Sequence, residues 1–174
     1  MVACPWHWRT NRRAQQMIDN QTIGIGIIGT GGRGTTCLGQ RIAETADETG
    51  FRVVAVNDVN AERMAEAKGY LAAKFAAAEI QTDIQCHSTD AALIGDPNVD
   101  IVLITSPQYA HCGNATIALG SGKKTYVDKP IAHTLEDAAR IVEAEACAES
   151  PILMGFTRRY EKAWQTAFRM VQDG

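Results

Sequence analysis

Six residues near the start of the chain have the types and spacing needed to bind a phosphate-containing ligand. They follow an apolar run and precede a helical pattern, and they read Gly29-Thr30-Gly31-Gly32-Arg33-Gly34, a G-x-G-x-x-G motif. Gly29 allows a tight turn, Gly31 lets a pyrophosphate approach the backbone, and Gly34 lets the helix pack on the strand. The helix start then holds the anion. The motif predicts a dinucleotide site; the alternative is a turn that binds nothing.

Asp58 favours NAD over NADP as the dinucleotide. It directly follows an apolar run, 51–57, and lies 24 positions after Gly34. A carboxylate at that place accepts hydrogen bonds from the adenosine ribose hydroxyls and repels the 2′-phosphate of NADP. The first basic residue after it is Arg63, which is a weaker argument against NADP. The alternative for Asp58 is a turn aspartate that ends a strand.

Strand and helix patterns alternate six times along the chain and provide the elements that position these residues. The predicted strands are 23–28, 51–57, 84–87, 100–105, 124–128 and 152–156. This alternation predicts an α/β fold with a doubly wound parallel sheet and right-handed crossovers, the Rossmann fold. The expected strand order is 3-2-1-4-5-6, with the ligand at the carboxyl ends of strands one and four.

Local signals predict where the helices begin and end. Gly50 is expected to close the helix that follows the glycine-rich turn, and Asn60 to cap the next helix. Ser106 and Pro107 are predicted to be the N-cap and the first residue of the helix after strand four. Residues 158–174 have the pattern of one amphipathic helix.

Composition excludes several function classes. The chain has 174 residues, 45% of them hydrophobic, and a formal net charge of -3, which indicates one globular domain and no nucleic-acid partner. No apolar run approaches the length of a membrane span. The pairs Cys86-His87 and His111-Cys112 do not have metal-ligand spacing, so no metal site is predicted. Five widely spaced cysteines without a C-x-x-C motif favour reduced thiols and a cytoplasmic location.

Three regions of the chain are expected to differ in role. Residues 1–20 are basic and have no clear period; either they form a disordered extension, or translation starts at Met17. They do not resemble a signal peptide, because no apolar segment follows the arginines. Residues 21–157 are predicted to be the dinucleotide-binding Rossmann domain. Residues 158–174 are expected to begin a linker or helix towards a further domain.

Three segments together resemble the Gfo/Idh/MocA oxidoreductases, a family that includes glucose–fructose oxidoreductase and inositol 2-dehydrogenase. The first combines IGIGIIGTGGRG with VVAVNDVN. The second is ITSPQYAH, similar to the family's Thr-Pro-Asn-x-x-His segment after strand four. The third, and the most specific, is YVDKPIAHTLEDA, similar to the family's Glu-Lys-Pro segment after strand five.

The resemblance implies roles for residues after strands four and five. Lys129 matches the family lysine that contacts the nicotinamide ribose beside the substrate, which makes it the catalytic candidate. Asp128 stands where the family usually has Glu, and Pro130 follows a peptide bond that is cis in many members. The residues that match the segment lining the cofactor cleft are Ser106, Pro107 and His111. The alternatives are a solvated surface lysine for Lys129 and, for His111, a histidine held by a backbone carbonyl.

The resemblance also implies a function. Family enzymes have a second domain that supplies most of the substrate pocket, proton-transfer groups and an oligomer surface, and this chain is expected to lack it. The leading interpretation is the NAD-binding half of an NAD(P)-dependent oxidoreductase that transfers hydride to or from a sugar, inositol or similar polyol, in a homo-oligomer. On its own the chain is expected to be inactive. The alternatives are a nucleotide-binding sensing or regulatory module and a non-oxidoreductase Rossmann domain, which the VDKP segment disfavours.

Overall fold

A computed structural model describes residues 22–173; the expectations for residues 1–20 concern residues outside this range. Six strands form one parallel sheet: β1 (Ile23–Ile28), β2 (Phe51–Asn57), β3 (Gln85–His87), β4 (Ile101–Ile104), β5 (Lys124–Val127) and β6 (Leu153–Met154). Their order is β3-β2-β1-β4-β5-β6. The predicted Rossmann fold and strand order are therefore confirmed.

Helices pack on both faces of this sheet, as right-handed crossovers between parallel strands require. They are α1 (Gln40–Glu44), α2 (Ala46–Thr49), α3 (Ala61–Ala77), α4 (Asp90–Ile94), α5 (His111–Gly120), α6 (Leu135–Ala146) and α7 (Lys162–Asp173). Asn60 caps α3 as predicted, because its side chain accepts a hydrogen bond from Arg63 N. Within residues 22–173, none of the helices combines the length and apolarity that a membrane span requires.

The sheet separates two hydrophobic cores. On one face Ile27 and Val53 pack with Phe75 of α3, and on the other Ile104 packs with Ala115 of α5. All five side chains are fully buried, and each large one contributes roughly 1.5–3 kcal/mol to folding. Burial on both faces explains why the strands appear in the sequence as continuous apolar runs.

The register brings the carboxyl ends of the central strands side by side. Ile28, the last residue of β1, pairs with Asn57 of β2 and with Ile104 of β4. Ile104 in turn pairs with Val127 of β5. The residue that follows each of these strand ends therefore lies at the same edge of the sheet, where the fold places a ligand.

The first crossover differs from the single helix that the sequence predicts. It begins with π-helical turns over Arg33–Gly39, in which Cys37 N donates to Gly32 O at 3.0 Å. The α-helix that follows is broken at Thr45, where φ is −109° and ψ is 9°. Gly50 ends α2 with φ 72°, as expected for a left-handed C-cap. A π-helical segment is uncommon and occurs frequently at functional sites.

The helix after β4 begins at His111, so the prediction that Ser106 and Pro107 start it is wrong. Pro107 is extended, with ψ 143°, and a 3₁₀ turn separates it from α5. Side chains inside α5 hold the preceding loop: His111 Nε2 lies 2.7 Å from Ser106 O, and Asn114 donates to Ser106 Oγ at 3.3 Å. These contacts keep residues 106–107 beside the helix instead of at its first turn.

The C-terminal segment forms a 3₁₀ turn, Thr157–Tyr160, followed by α7. Its apolar residues are uncovered: Trp164, Phe168 and Val171 are 51%, 65% and 80% exposed. The Arg158 guanidinium lies over the Trp164 ring at 5.2 Å. The predicted amphipathic face is thus present, but the prediction of one helix over 158–174 is wrong at its start, because Thr157–Tyr160 is a 3₁₀ turn and α7 begins only at Lys162.

Candidate dinucleotide site

The glycine-rich turn connects the end of β1 to the π-helical turns. Gly29 has φ 92°, a conformation that favours glycine. A Cβ at Gly34 would clash with Gly29 O and would lie 2.5 Å from Thr105 Oγ1. At Gly31, in contrast, a Cβ would have nothing within 4 Å. Two motif glycines are therefore required by the fold, and the third leaves open space where a pyrophosphate would approach.

The same turn provides hydrogen-bond donors for an anion. The first helical hydrogen bond runs from Thr35 N to Gly31 O at 2.9 Å, which leaves the three preceding N–H groups without a helical acceptor. Thr35 Oγ1 also donates to Thr30 O at 2.8 Å and fixes the start of the turn. Free donors and open space at one place fit the pyrophosphate of a dinucleotide.

Asp58 follows β2 and binds the glycine-rich turn directly. Its Oδ2 accepts hydrogen bonds from Thr30 N at 2.8 Å and from Thr30 Oγ1 at 3.0 Å. Asn60 N and both Nε and Nη2 of Arg63 also donate to this carboxylate. Partial burial favours the protonated acid, but the hydrogen bonds from Arg63, Asn60 and Thr30 outweigh it and lower the pKa of Asp58 to about 2.

Asp128 forms a two-point ion pair with Arg33 of the glycine-rich turn. Arg33 Nε lies 3.0 Å from Asp128 Oδ2, and Arg33 Nη2 lies 3.1 Å from Oδ1. Tyr126 joins this pair: its hydroxyl donates to Asp128 Oδ1 at 3.3 Å and accepts from Arg33 at 3.4 Å. Burial, and then the charge of Asp128, raise the pKa of Tyr126. The ion pair joins the glycine-rich turn to the end of β5, which Lys129 follows.

His111 lies behind the cleft and is 1% exposed. Its Nε2 is 2.7 Å from Ser106 O and its Nδ1 is 2.8 Å from Pro130 O. Both contacts are hydrogen bonds only when both ring nitrogens carry a proton, because a neutral imidazole donates through one of them. With both nitrogens facing backbone carbonyls, His111 connects the loops after β4 and β5 and presents no ring nitrogen to a ligand.

Lys129 and Pro130 follow β5 at the same edge of the sheet. The peptide bond between them is cis, and both residues are exposed. Gln108 Nε2 also lies 3.1 Å from His133 Nδ1, which is a second connection between the loops after β4 and β5. None of the ion pairs within residues 22–173 involves the Lys129 ammonium.

The structure thus brings nearly all predicted site residues to one edge of the sheet. Thr105 and Tyr126 belong to the same edge but are missing from the sequence prediction, which names Arg63 only as the first basic residue after Asp58. Thr105 directly follows β4, and Tyr126 is the next-to-last residue of β5, so a polar residue near a strand end is the signal for both. Arg63 lies in the first turn of α3. No three His, Cys, Asp or Glu side chains within residues 22–173 are placed to hold a metal ion.

The sequence profile of the oxidoreductase family with an NAD-binding Rossmann fold, GFO_IDH_MocA, matches residues 23–156. This chain belongs to that family. Inositol 2-dehydrogenase 3 of Saccharopolyspora erythraea is 32% identical over 154 residues, which cover 88% of this chain and 41% of that protein. Inositol 2-dehydrogenase/D-chiro-inositol 3-dehydrogenase of Halalkalibacterium halodurans is 33% identical, with 87% and 40% covered. The chain therefore spans about two fifths of the length of these relatives.

Solved structures agree with this assignment. The myo-inositol dehydrogenase of Lactobacillus casei in complex with NAD(H) and myo-inositol has a TM-score of 0.73 and 29% identity to this chain, covering 88% of it and 42% of that protein. A probable dehydrogenase from Thermotoga maritima has a TM-score of 0.70 and 26% identity, with 87% and 41% covered. The Gfo/Idh/MocA resemblance drawn from the sequence is confirmed, and the chain is an NAD-binding Rossmann domain of this family.

We expect Gly31→Val to abolish NAD binding and to leave the sheet intact. The fold has space for the new side chain, but that side chain occupies the volume that the pyrophosphate needs. Titration calorimetry measures binding, and circular dichroism measures folding. Gly69→Val is the control, because a Cβ at Gly69 on α3 also meets nothing within 4 Å. A folded Gly31→Val chain that binds NAD normally contradicts the expectation.

Asp58→Asn is expected to lower the free energy of unfolding above pH 4, with an effect that is small at pH 2 and absent below it. The pKa of Asp58 is lowered to about 2 in the folded chain, so its charged form stabilises the fold above the unfolded pKa of about 3.9. That contribution disappears as the pH falls towards 2. Urea unfolding across this pH range tests the expectation, and a difference that does not change with pH would refute it.

Proposed function

We propose that this chain is the cofactor-binding part of an NAD-dependent dehydrogenase that transfers hydride between the nicotinamide and a hydroxyl-bearing carbon of an inositol or similar polyol. One observation carries the proposal: Gly31 with its open space, Asp58 and Lys129 all lie at the same edge of the sheet. The polyol class is supported by relatives that are named inositol dehydrogenases. Because the chain spans about two fifths of their length, the activity of the whole protein is part of the proposal.

Each residue of the site has a task in this proposal. The donors after Gly31 bind the pyrophosphate, and Asp58 accepts the adenosine ribose hydroxyls. The Arg33–Asp128 pair holds the turn against β5. Lys129 donates to the nicotinamide ribose and stabilises negative charge on the oxygen of the reacting substrate. The bound nicotinamide supplies the hydride acceptor or donor.

A reducing, cytoplasmic location and a homo-oligomeric assembly complete the proposal. Four cysteines of the described residues are free thiols, namely Cys37, Cys86, Cys112 and Cys147, which suits a compartment that keeps thiols reduced. The uncovered apolar residues of α7 supply surface for an assembly.

Asp58→Ala is expected to weaken NAD binding by about 1–2 kcal/mol, the scale of hydrogen bonds to a charged group. NADP binding should not weaken, because the 2′-phosphate gains nothing from this carboxylate. Titration calorimetry with both cofactors measures the two affinities. Asp83→Ala removes the same charge at an exposed loop position and should change neither. Tighter binding of NADP than of NAD by the unmodified chain would overturn the proposed preference.

The isolated chain is expected to bind NAD but to form no NADH from myo-inositol, glucose or related polyols. Lys129 is exposed, and electrostatic help is weak in open solvent. Nothing among the described residues aligns a second reactant opposite Lys129, and alignment accounts for roughly 7–11 kcal/mol of a reaction barrier. Robust turnover by this chain, abolished by Lys129→Ala, would contradict the division of tasks.

A chimera tests the dehydrogenase assignment itself. Residues 21–157 would replace the matched segment of the L. casei myo-inositol dehydrogenase, to which this chain is 29% identical. We expect inositol-dependent NADH formation that Lys129→Ala lowers by about a hundredfold or more, on the scale of a lost electrostatic contact to the reacting oxygen. Lys124→Ala, at the opposite end of β5, should retain activity. A folded chimera that binds NAD and forms no NADH would favour a nucleotide-binding module without catalysis.

A further inference from the structure

Asp58 has its acceptor capacity filled before any cofactor is present. Oδ2 accepts hydrogen bonds from Thr30 N at 2.8 Å, from Thr30 Oγ1 at 3.0 Å and from Arg63 Nε at 3.0 Å. Oδ1 accepts hydrogen bonds from Asn60 N at 2.9 Å and from Arg63 Nη2 at 2.5 Å. An ionised carboxylate offers about four lone-pair sites, and the Asp58 side chain is only 4% exposed. A ribose hydroxyl can therefore bind Asp58 only after one of these donors leaves.

Arg63 is the donor that is able to leave. The N–H groups of Thr30 and Asn60 belong to backbone turns that the fold fixes. The Thr30 hydroxyl is also held in place, because Thr30 is only 3% exposed. The Arg63 side chain is 46% exposed, and in the described part of the chain its guanidinium forms hydrogen bonds with Asp58 alone. The long Arg63 side chain can therefore turn into solvent while the backbone stays in place.

A displaced Arg63 side chain cannot move far from Asp58. Arg63 is the third residue of α3, after the cap at Asn60, so its guanidinium stays beside the start of a 17-residue helix. The positive end of the helix dipole also favours an anion there. The planar guanidinium has five N–H donors that match the geometry of a phosphate. The arrangement therefore offers a 2′-phosphate a partner that the carboxylate alone does not.

We propose that Arg63 is a specificity-determining residue for the cofactor. It competes with the ribose hydroxyls of NAD for Asp58, and it binds the 2′-phosphate when NADP enters. Arg63 thus weakens NAD binding and strengthens NADP binding. The chain is therefore less selective for NAD than Asp58 alone would make it. The inference rests on the proposed role of Asp58 in NAD binding and adds a second residue to it.

Titration calorimetry of Arg63→Ala and Arg63→Gln with NAD and with NADP tests the proposal. We expect NAD to bind about two- to fivefold more tightly, because the cofactor no longer has to displace a partly exposed ion pair. NADP is expected to bind at least about tenfold more weakly, because a charge-assisted contact to phosphate is lost. The NADP loss should shrink at high salt. Arg41→Ala is the matched control: it removes the same charge from an exposed ion pair with Glu44 at 2.9 Å and should change neither affinity.

The outcomes separate this inference from the proposed function. NAD binding that is unchanged or weaker in both Arg63 variants, with circular dichroism showing them folded, overturns the competition between Arg63 and the ribose. Equal losses for both cofactors mean that Arg63 only supports the turn, which also overturns it. If the unmodified chain binds neither NAD nor NADP, the proposed function fails, and this inference fails with it.

Discussion

Between the end of β1 and the end of β4 the two backbones approach so closely that no side chain fits between them. A Cβ at Gly29 would lie 2.5 Å from Ser106 N, and Thr105 Oγ1 donates to Gly29 O at 2.7 Å. This approach fixes the direction in which the chain leaves β1 and enters the π-helical turns. The open space at Gly31 and the free N–H groups after it follow from that direction, so the anion site depends on it.

Two carboxylates then hold the glycine-rich turn from opposite sides. Asp58 after β2 binds it through Thr30, and Asp128 after β5 binds it through Arg33. An anionic ligand would ordinarily be repelled by two carboxylates so near its site. Here each is paired with an arginine, Asp58 with Arg63 and Asp128 with Arg33. The turn is therefore held by charged contacts without becoming negative overall, which is what a pyrophosphate site requires.

The sequence predicts the sheet well because its signals are local. The bounds of β1 and β2 agree with the apolar runs, since a parallel strand buried on both faces is apolar throughout. Two kinds of feature are missed by the sequence prediction: contacts between residues far apart in the chain, and sites where two local signals compete. Arg33 and Asp128 are 95 residues apart, and neither shows in the sequence which partner it has. Pro107 has the pattern of a helix start, but contacts from His111 to Ser106 and Pro130 decide the outcome.

Those contacts of His111 also affect the mobility of the loop after β5. The ring is buried and holds Pro130 O at 2.8 Å, directly behind the exposed Lys129. The lysine is therefore a flexible side chain on a fixed backbone. Most of the conformational entropy of that loop is lost when the chain folds, and little remains to be lost when a ligand arrives.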